Sequence, residues 1–446
     1  MRSATPSGGE LPPSQLTKRV TTAVSLGTVI EWYDFFLYGT AAALVFPQLF
    51  FPAQDASVGA LLSFATFATG FAARPLGGIV FGHLGDRVGR KTVLVATLIL
   101  MGAATVGIGL LPTYDQIGIA APVLLVALRI VQGLGTGGEW GGAALMTKEN
   151  GSSRPGFFGS FLSASVFAGL ILGSVVYTAL ASVLTEEQLF GWGWRVPFLV
   201  SVLLVVIGLW IRRDLPETAE FERVKRSEVQ ERAPILAVLR RPRNVIAIFL
   251  MRVGQNTTFY IVSVFVLTYA TTTLGLPRPT ILTATMIGAL AAGLLCPLYG
   301  HLGDRVGFGR VMLVALAVQA AFAFPFFLLV DTRNFAAVLI AVVVAIAGGA
   351  AASDAIQPAY FTSMFGTQSR FSGVSIGREG GTVIGGGLAP LIASGLLAWQ
   401  GGSSWAVSGW MLLTSLLGIV GVLLVRPVVA APTGAEQRTD TSGAAQ

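Results

Sequence analysis

The fold class predicted is an all-α membrane protein with twelve transmembrane helices in two pseudo-symmetric six-helix halves. Three observations point to it. The chain has 446 residues, 53% of them hydrophobic and 11% charged, whereas soluble domains carry about a quarter charged residues. Apolar stretches of about 20 residues or more, the length a helix needs to cross a bilayer, recur twelve times. The segment GHLGDRVG stands at 82–89 and again at 300–307, each time after the second span of its half.

The expected spans are 21–50, 57–81, 91–112, 117–146, 156–184, 194–212, 244–272, 279–300, 310–330, 334–362, 371–398 and 405–425. Tilt accommodates the longer ones. The 55 glycines suit lipid, where small residues let helices approach closely. Segment 1–20 is polar, lacks a cleavage site after an apolar core, and reads as a cytosolic tail rather than a signal peptide. With both termini cytoplasmic, most of the 29 Lys and Arg face inward and only Arg278 and Arg333 lie in outer loops, as the positive-inside rule asks. The division is thus a tail at 1–20, an N-terminal bundle at 21–212, a charged cytoplasmic linker at 213–243, a C-terminal bundle at 244–426 and a cytosolic tail at 427–446. Paired six-helix units are the signature of transporters that rock two halves about a central site.

Several functions are excluded. Cys296 is the one cysteine, and His83 and His301 are the two histidines. That inventory removes disulfides, cysteine metal clusters, multi-histidine metal sites and Ser-His-Asp chemistry. No metal, cofactor or enzymatic activity is expected. No GxxxxGK[ST] loop is present, so ATP is not the driving force. The pI of 9.8 comes from basic residues spread over short loops, which fits membrane orientation better than nucleic-acid binding.

In GHLGDRVGRK the glycines Gly82, Gly85 and Gly89 allow a tight turn. Asp86 can accept from free N–H groups at a helix start or from arginines, and Arg87 and Arg90 hold the segment in the cytoplasm. The copy with Asp304 and Arg305 has Phe308 and Gly309 in place of the Arg-Lys pair, and Arg370 could pair with Asp86. Together they predict a conformational latch, stronger in the first half.

Ionisable residues inside spans are costly and point to function. Glu31, Asp34 and Tyr38 share one face of the first span, and Arg129, Gln132, Thr136 and Glu139 form a stripe on the fourth. Asp34 is expected to carry the coupled proton. Paired with Arg129 it stays ionised; once the arginine is drawn away, burial favours the neutral acid. Glu31 would modulate the site, and Glu139 would join the proton exit path or bond to a neighbouring helix. Arg74, beside Pro75, is expected to pack against the latch. Arg195, next to Trp194, opens the sixth span at the outer interface. Arg252, Gln255, Asn256 and Tyr260 follow helical spacing on the seventh span, and arginine suits a carboxylate gripped by two parallel bonds. Asp354, Arg378 and Glu379 are further candidates for substrate binding, although Arg378 and Glu379 could satisfy each other.

The latch, with ARPLGG before it, RIVQGLGTGGEWGGAAL and the central LPETAEF, resembles the major facilitator superfamily. EWYDFFLYG, FGHLGDRVGRK, GGEWGGAAL and GWGWRVPF resemble its metabolite:proton symporter branch over nearly the whole chain. The resemblance implies neighbouring first and fourth helices that line a cavity. It also implies a monomer in a bacterial cytoplasmic membrane, and substrates such as shikimate, 2-oxoglutarate, citrate, proline or betaine. Relatives often have an acid where Gln255 stands and a glutamate at Ser363. The tail 427–446 lacks the heptads of osmosensing members. The leading expectation is proton-coupled import of a small organic acid by alternating access. Efflux of an acidic metabolite or drug, uptake of a zwitterionic osmolyte, and a non-transporting sensor are the alternatives.

Overall fold

The computed structural model describes residues 13–52, 56–88, 90–137, 140, 154–213, 242–365 and 370–425. These residues form twelve long helices. The first six are α1 (Pro13–Leu44), α2 (Ala56–Val88), α3 (Arg90–Leu110), α4 (Ala120–Thr136), α5 (Pro155–Val183) and α6 (Val196–Arg213). The second six are α7 (Pro242–Thr273), α8 (Arg278–Val306), α9 (Phe308–Asp331), α10 (Phe335–Ser363), α11 (Gly373–Trp399) and α12 (Trp405–Leu424). Nine helices among the described residues are long and apolar enough to cross a membrane, and α3 and α4 hold shorter apolar stretches at 95–110 and 120–136.

The helices depart from expectation in instructive places. The stretch 21–50 breaks at Val45, because Pro47 opens a new short helix, Phe46–Phe50, the position where proline is tolerated best. The repeated GHLGDRVG is not a turn rich in bends. It continues α2 to Val88 and α8 to Val306; in the second copy the closing Gly307 takes a positive φ of 95°, as a glycine just past a helix end does. The linker 213–243, apart from Arg213 and residues 242–243, lies outside the described residues.

Packing repeats between the halves. Helix α1 packs on α5 and α6, α2 on α4, and α3 on α4 and α6; six positions on, α7 packs on α11 and α12, α8 on α10, and α9 on α10 and α12. Two symmetry-related seams, α5 on α8 and α2 on α11, join the halves, with α1 against α7 and α5 against α10. An aromatic cluster fills the middle of the seam: Tyr260 of α7 lies against Phe36 of α1 and against Phe67 and Phe71 of α2. At one end Thr268 donates to the Ala43 carbonyl at 3.1 Å. At the other, Asp304 accepts from the backbone N–H groups of Gly156 and Phe157 at 2.8 and 2.9 Å, capping the free donors of the α5 start. Helices α7, α10 and α11 contain π-helical turns at Ile261–Phe265, Tyr269–Thr273, Val344–Ala350 and Val383–Gly387; such turns are frequent at functional sites.

Glycine sets the α2–α4 distance. A Cβ on Gly133 would lie 2.0 Å from the Gly70 carbonyl oxygen, and one on Gly77 would lie 2.1 Å from that of Leu134. Neither backbone can yield as a flexible side chain would. Gly133→Ala should therefore lower the thermal midpoint of the purified protein, at a cost of about 1–3 kcal/mol for overpacking. Gly395→Ala, where nothing stands within 4 Å, should leave it unchanged. Equal midpoints for the two variants would contradict this packing.

Candidate functional site

Eight charged side chains are buried among the described residues: Glu31, Asp34, Asp354 and Glu379 against Arg74, Arg129, Arg252 and Arg378. Burying a charge without a partner is costly, so the contacts of each one show how the site is organised.

Asp34 faces the interior of the first half. Ser201 of α6 donates to Oδ1 at 2.8 Å, and Thr105 Oγ1 of α3 lies 3.0 Å from Oδ2. The direct Asp34–Arg129 ion pair expected from sequence is not among the ion pairs of the described residues. Arg129 instead donates from Nη1 to Gln132 Oε1, one helical turn on, and Gln132 Nε2 donates to Thr105 Oγ1 at 2.8 Å. The amide and the hydroxyl thus stand between acid and guanidinium. The guanidinium is boxed by the rings of Tyr38, Phe35 and Phe67, its Cζ 4.1, 4.5 and 5.1 Å from their centres. Gly70 makes the room: a Cβ there would sit 2.5 Å from Arg129 Nε. Arg129 Nε and Nη2 have no hydrogen-bond partner although the residue is fully buried. Tyr38 bonds to Thr66 at 2.6 Å.

Arg74 has a larger role than sequence suggested. Instead of packing against the latch, it lies in the seam, 3.5 Å from Glu31 of its own half and 3.0 Å from Glu379 of the other. Glu379 also accepts from its neighbour Arg378, so the pair is self-satisfied only in part. Arg378 in turn lies over the Trp140 ring, Cζ 3.6 Å from its centre. Two charged contacts therefore cross between the halves here, one ionic and one cation–π. The sequence signal for Arg74 was an arginine inside a span; the acids it meets lie on other helices.

Arg252, expected to grip a substrate carboxylate, has its Nη1 and Nε engaged by the protein. Its Nη1 donates to Asp354, Gln255 and Gln357, each at 2.8 Å, and its Nε to Thr382 at 3.0 Å. Beside it is a small cavity lined by Trp32, Val166 and Phe167 of the first half and by Arg252, Gln255, Asn256, Phe259 and Asp354 of the second. Of the lining residues, both amide atoms of Asn256 and the Trp32 indole N–H are buried without hydrogen-bond partners among the described residues, as is the hydroxyl of Tyr260, one turn on from Asn256. Such groups normally find one, and they are free to bond to a polar molecule in the cavity.

Helical spacing put Arg129 with Gln132 and Arg252 with Gln255, and these pairs are bonded in the structure, but it did not foresee the bond of Arg252 to Asp354. It missed Thr105, Ser201, Gln357, Thr382 and Trp140, because nothing in a span distinguishes one hydroxyl or amide from another before the helices are packed. Arg195 donates to the Gly109 carbonyl at 2.9 Å and to that of Leu111, closing the end of α3 far from the cavity. Asp304 caps α5, and Arg305 beside it is exposed. Gly82 and Gly85 fall within α2. The expectations for Glu139, Gly89 and the side chains of Asp86, Arg87, Arg90 and Arg370 lie outside the described residues.

Two helical halves with a buried, charged cavity at their seam define a multi-pass membrane transporter. The Major Facilitator Superfamily model matches residues 24–377, and the chain belongs to that superfamily; it is a transporter and not an enzyme. It is 39% identical to the shikimate transporter of Escherichia coli (strain K12) over 95% of this chain and 98% of that one. It is 40% identical to the inner membrane metabolite transport protein YhjE of the same strain, over 87% and 89% of the two chains. With a putative proline/betaine transporter of Staphylococcus aureus (strain COL) the identity is 32%, over 90% and 87%. In fold it is similar to the partially occluded, inward-open xylose transporter XylE from E. coli, with a TM-score of 0.69 at 17% identity, covering 92% and 97% of the chains.

The seam network has a measurable strength. Removing one partner of a buried ion pair leaves an uncompensated charge and costs about 3–5 kcal/mol. Arg74→Gln and Glu379→Gln should each destabilise the protein, while the double variant should recover part of the loss, with a coupling of roughly 0.5–3 kcal/mol. Strictly additive losses in thermal unfolding would mean that the two side chains do not interact in the folded protein.

Proposed function

We propose that this chain is a proton-coupled symporter that imports a small organic acid by alternating access. In this reading the bundles 21–212 and 244–426 rock about the seam, the linker 213–243 joins them in the cytoplasm, and the tails 1–20 and 427–446 lie on the same side. The membrane would be the bacterial cytoplasmic membrane, and one copy of the chain would suffice.

The observation that carries the reading is a charge balance. Among the described residues, four buried acids face four buried arginines. Glu31, Glu379 and Asp354 each contact an arginine, whereas Asp34 is held by hydroxyls and Arg129 by a neutral amide. If Asp34 takes a proton, the site carries one unmatched positive charge. An entering carboxylate cancels it. Proton and anion each make room for the other in a low-dielectric site, which is the free-energy coupling a symporter needs.

Arg129 offers two unused donors, Nε and Nη2, a fork suited to a carboxylate. Asn256 and Tyr260 offer free amide and hydroxyl groups for the ligand's other oxygens, with Tyr38, Gln132, Gln255, Arg252, Asp354, Arg378 and Glu379 shaping the surroundings. Carboxylate and hydroxyls together describe a shikimate-like acid, the ligand class in the name of one similar transporter. A zwitterion finds less support, since the acids at the seam that would receive its cation are already paired.

Two variants test this in liposomes. With Asp34→Asn, a pH gradient should no longer drive accumulation of labelled shikimate, while counterflow exchange, which needs no net proton movement, should persist. With Arg129→Gln, binding should weaken about 10- to 150-fold, the equivalent of a charged hydrogen bond worth roughly 1.5–3 kcal/mol. Full accumulation by Asp34→Asn would remove the acid from the coupling role.

A further inference from the structure

We propose that in this conformation Asp34 carries its proton on Oδ2, held by the Thr105 hydroxyl, and that Thr105 and Gln132 together keep Arg129 off the acid and free for a substrate carboxylate. The inference rests on Asp34 being the proton site. It adds the location of the proton and makes Thr105 a positioning residue.

The hydrogens around Thr105 can be counted. A threonine hydroxyl has one proton to give and can accept two. Three groups surround Thr105 Oγ1: Gln132 Nε2 at 2.8 Å, the Met101 carbonyl oxygen at 3.0 Å and Asp34 Oδ2 at 3.0 Å. The orientation of the Gln132 amide is fixed from its other end. A guanidinium only donates, so Oε1 must face Arg129 Nη1 and Nε2 must face Thr105. Gln132 therefore donates to Thr105. The Met101 carbonyl can only accept.

If Asp34 is ionised, Oδ2 and the Met101 carbonyl compete for the single Thr105 proton. One oxygen–oxygen contact of 3.0 Å is then left without a hydrogen, next to a carboxylate that has no cation in contact. Leaving a buried acceptor in that state is costly. If Oδ2 is protonated, every hydrogen has a place. Asp34 donates to Thr105, Thr105 donates to Met101, Gln132 donates to Thr105, and Ser201 donates to Oδ1 at 2.8 Å.

The other ionisable groups do not compete for this position. Arg129 on α4 is engaged with Gln132, and Tyr33, next to Asp34 on α1, donates to the Pro197 carbonyl at 3.0 Å. Tyr177 of α5 lies beyond Tyr33, Arg74 of α2 is engaged by Glu31 and Glu379, and α3 and α6 present Thr105 and Ser201.

Infrared difference spectroscopy of the full-length protein in liposomes tests the proposal without any substrate. The wild type should show the carbonyl stretch of a protonated carboxylic acid that Asp34→Asn removes. Thr105→Val, which keeps the shape and loses the acceptor, should move that band to higher frequency, and Thr105→Ser should restore it. Should Thr105→Val fail to fold, Thr105→Cys replaces it, because the weaker sulfur acceptor must shift the band in the same direction. Absence of an Asp34-dependent acid band in the wild type would overturn the proposal, and so would a band unmoved by loss of the hydroxyl. The band should survive even if every organic acid fails in transport assays, so this result and the substrate reading can fail separately.

Discussion

The structure depends on one constraint: charges inside a low-dielectric seam must be matched. Glu31, Arg74, Glu379 and Arg378 form a continuous ionic path from one half to the other, ending on the face of Trp140. Arg252 and Asp354 form a second, local pair inside the second half. In both arrangements each acid contacts at least one arginine. Asp34 and Arg129 are kept apart by Thr105 and Gln132, and in the function proposed above that separation leaves room for a proton on one side and an anion on the other.

Glycine and aromatic packing hold this arrangement at the required distances. The closely apposed backbones of α2 and α4 bring Arg74 and Arg129 onto adjacent faces, so that both guanidiniums lie within about 5 Å of the Phe35 ring centre. Rings supply a weak, non-ionic counterpart to a cation. They hold Arg129 in place without neutralising it, which a second carboxylate would do. Tyr260 enters the same cluster from the other half, so a rocking motion that withdraws α7 would also change the surroundings of Arg129.

The fold was almost fully legible in the sequence, for a physical reason: lipid demands long apolar segments, and those can be counted. Span edges were less legible, because a helix can run past the membrane, as α2 and α8 do through GHLGDRV. Half of the site could also be read. Asp34, Glu31, Arg129 and Arg252 stand out because a charge in a span is rare. Their partners do not stand out. Thr105 and Ser201 belong to a residue class scattered through every span, and only packing selects them. Arg252 was singled out by its charge, but its protein partners Gln255, Asp354, Gln357 and Thr382, which engage Nη1 and Nε, could not all be read from the sequence. Arg74 was undervalued because its partners, Glu31 on another helix and Glu379 in the other half, come together only when the helices pack.

The central claim is that one acid and one proton cross together. The most direct measurement is purified protein in liposomes with a pH dye inside, to which shikimate-like, keto, dicarboxylic and zwitterionic compounds are added in turn. The account predicts internal acidification on adding an organic acid, absent from protein-free liposomes and from liposomes carrying Asp34→Asn. Transport of a labelled acid with no accompanying change in internal pH would contradict it.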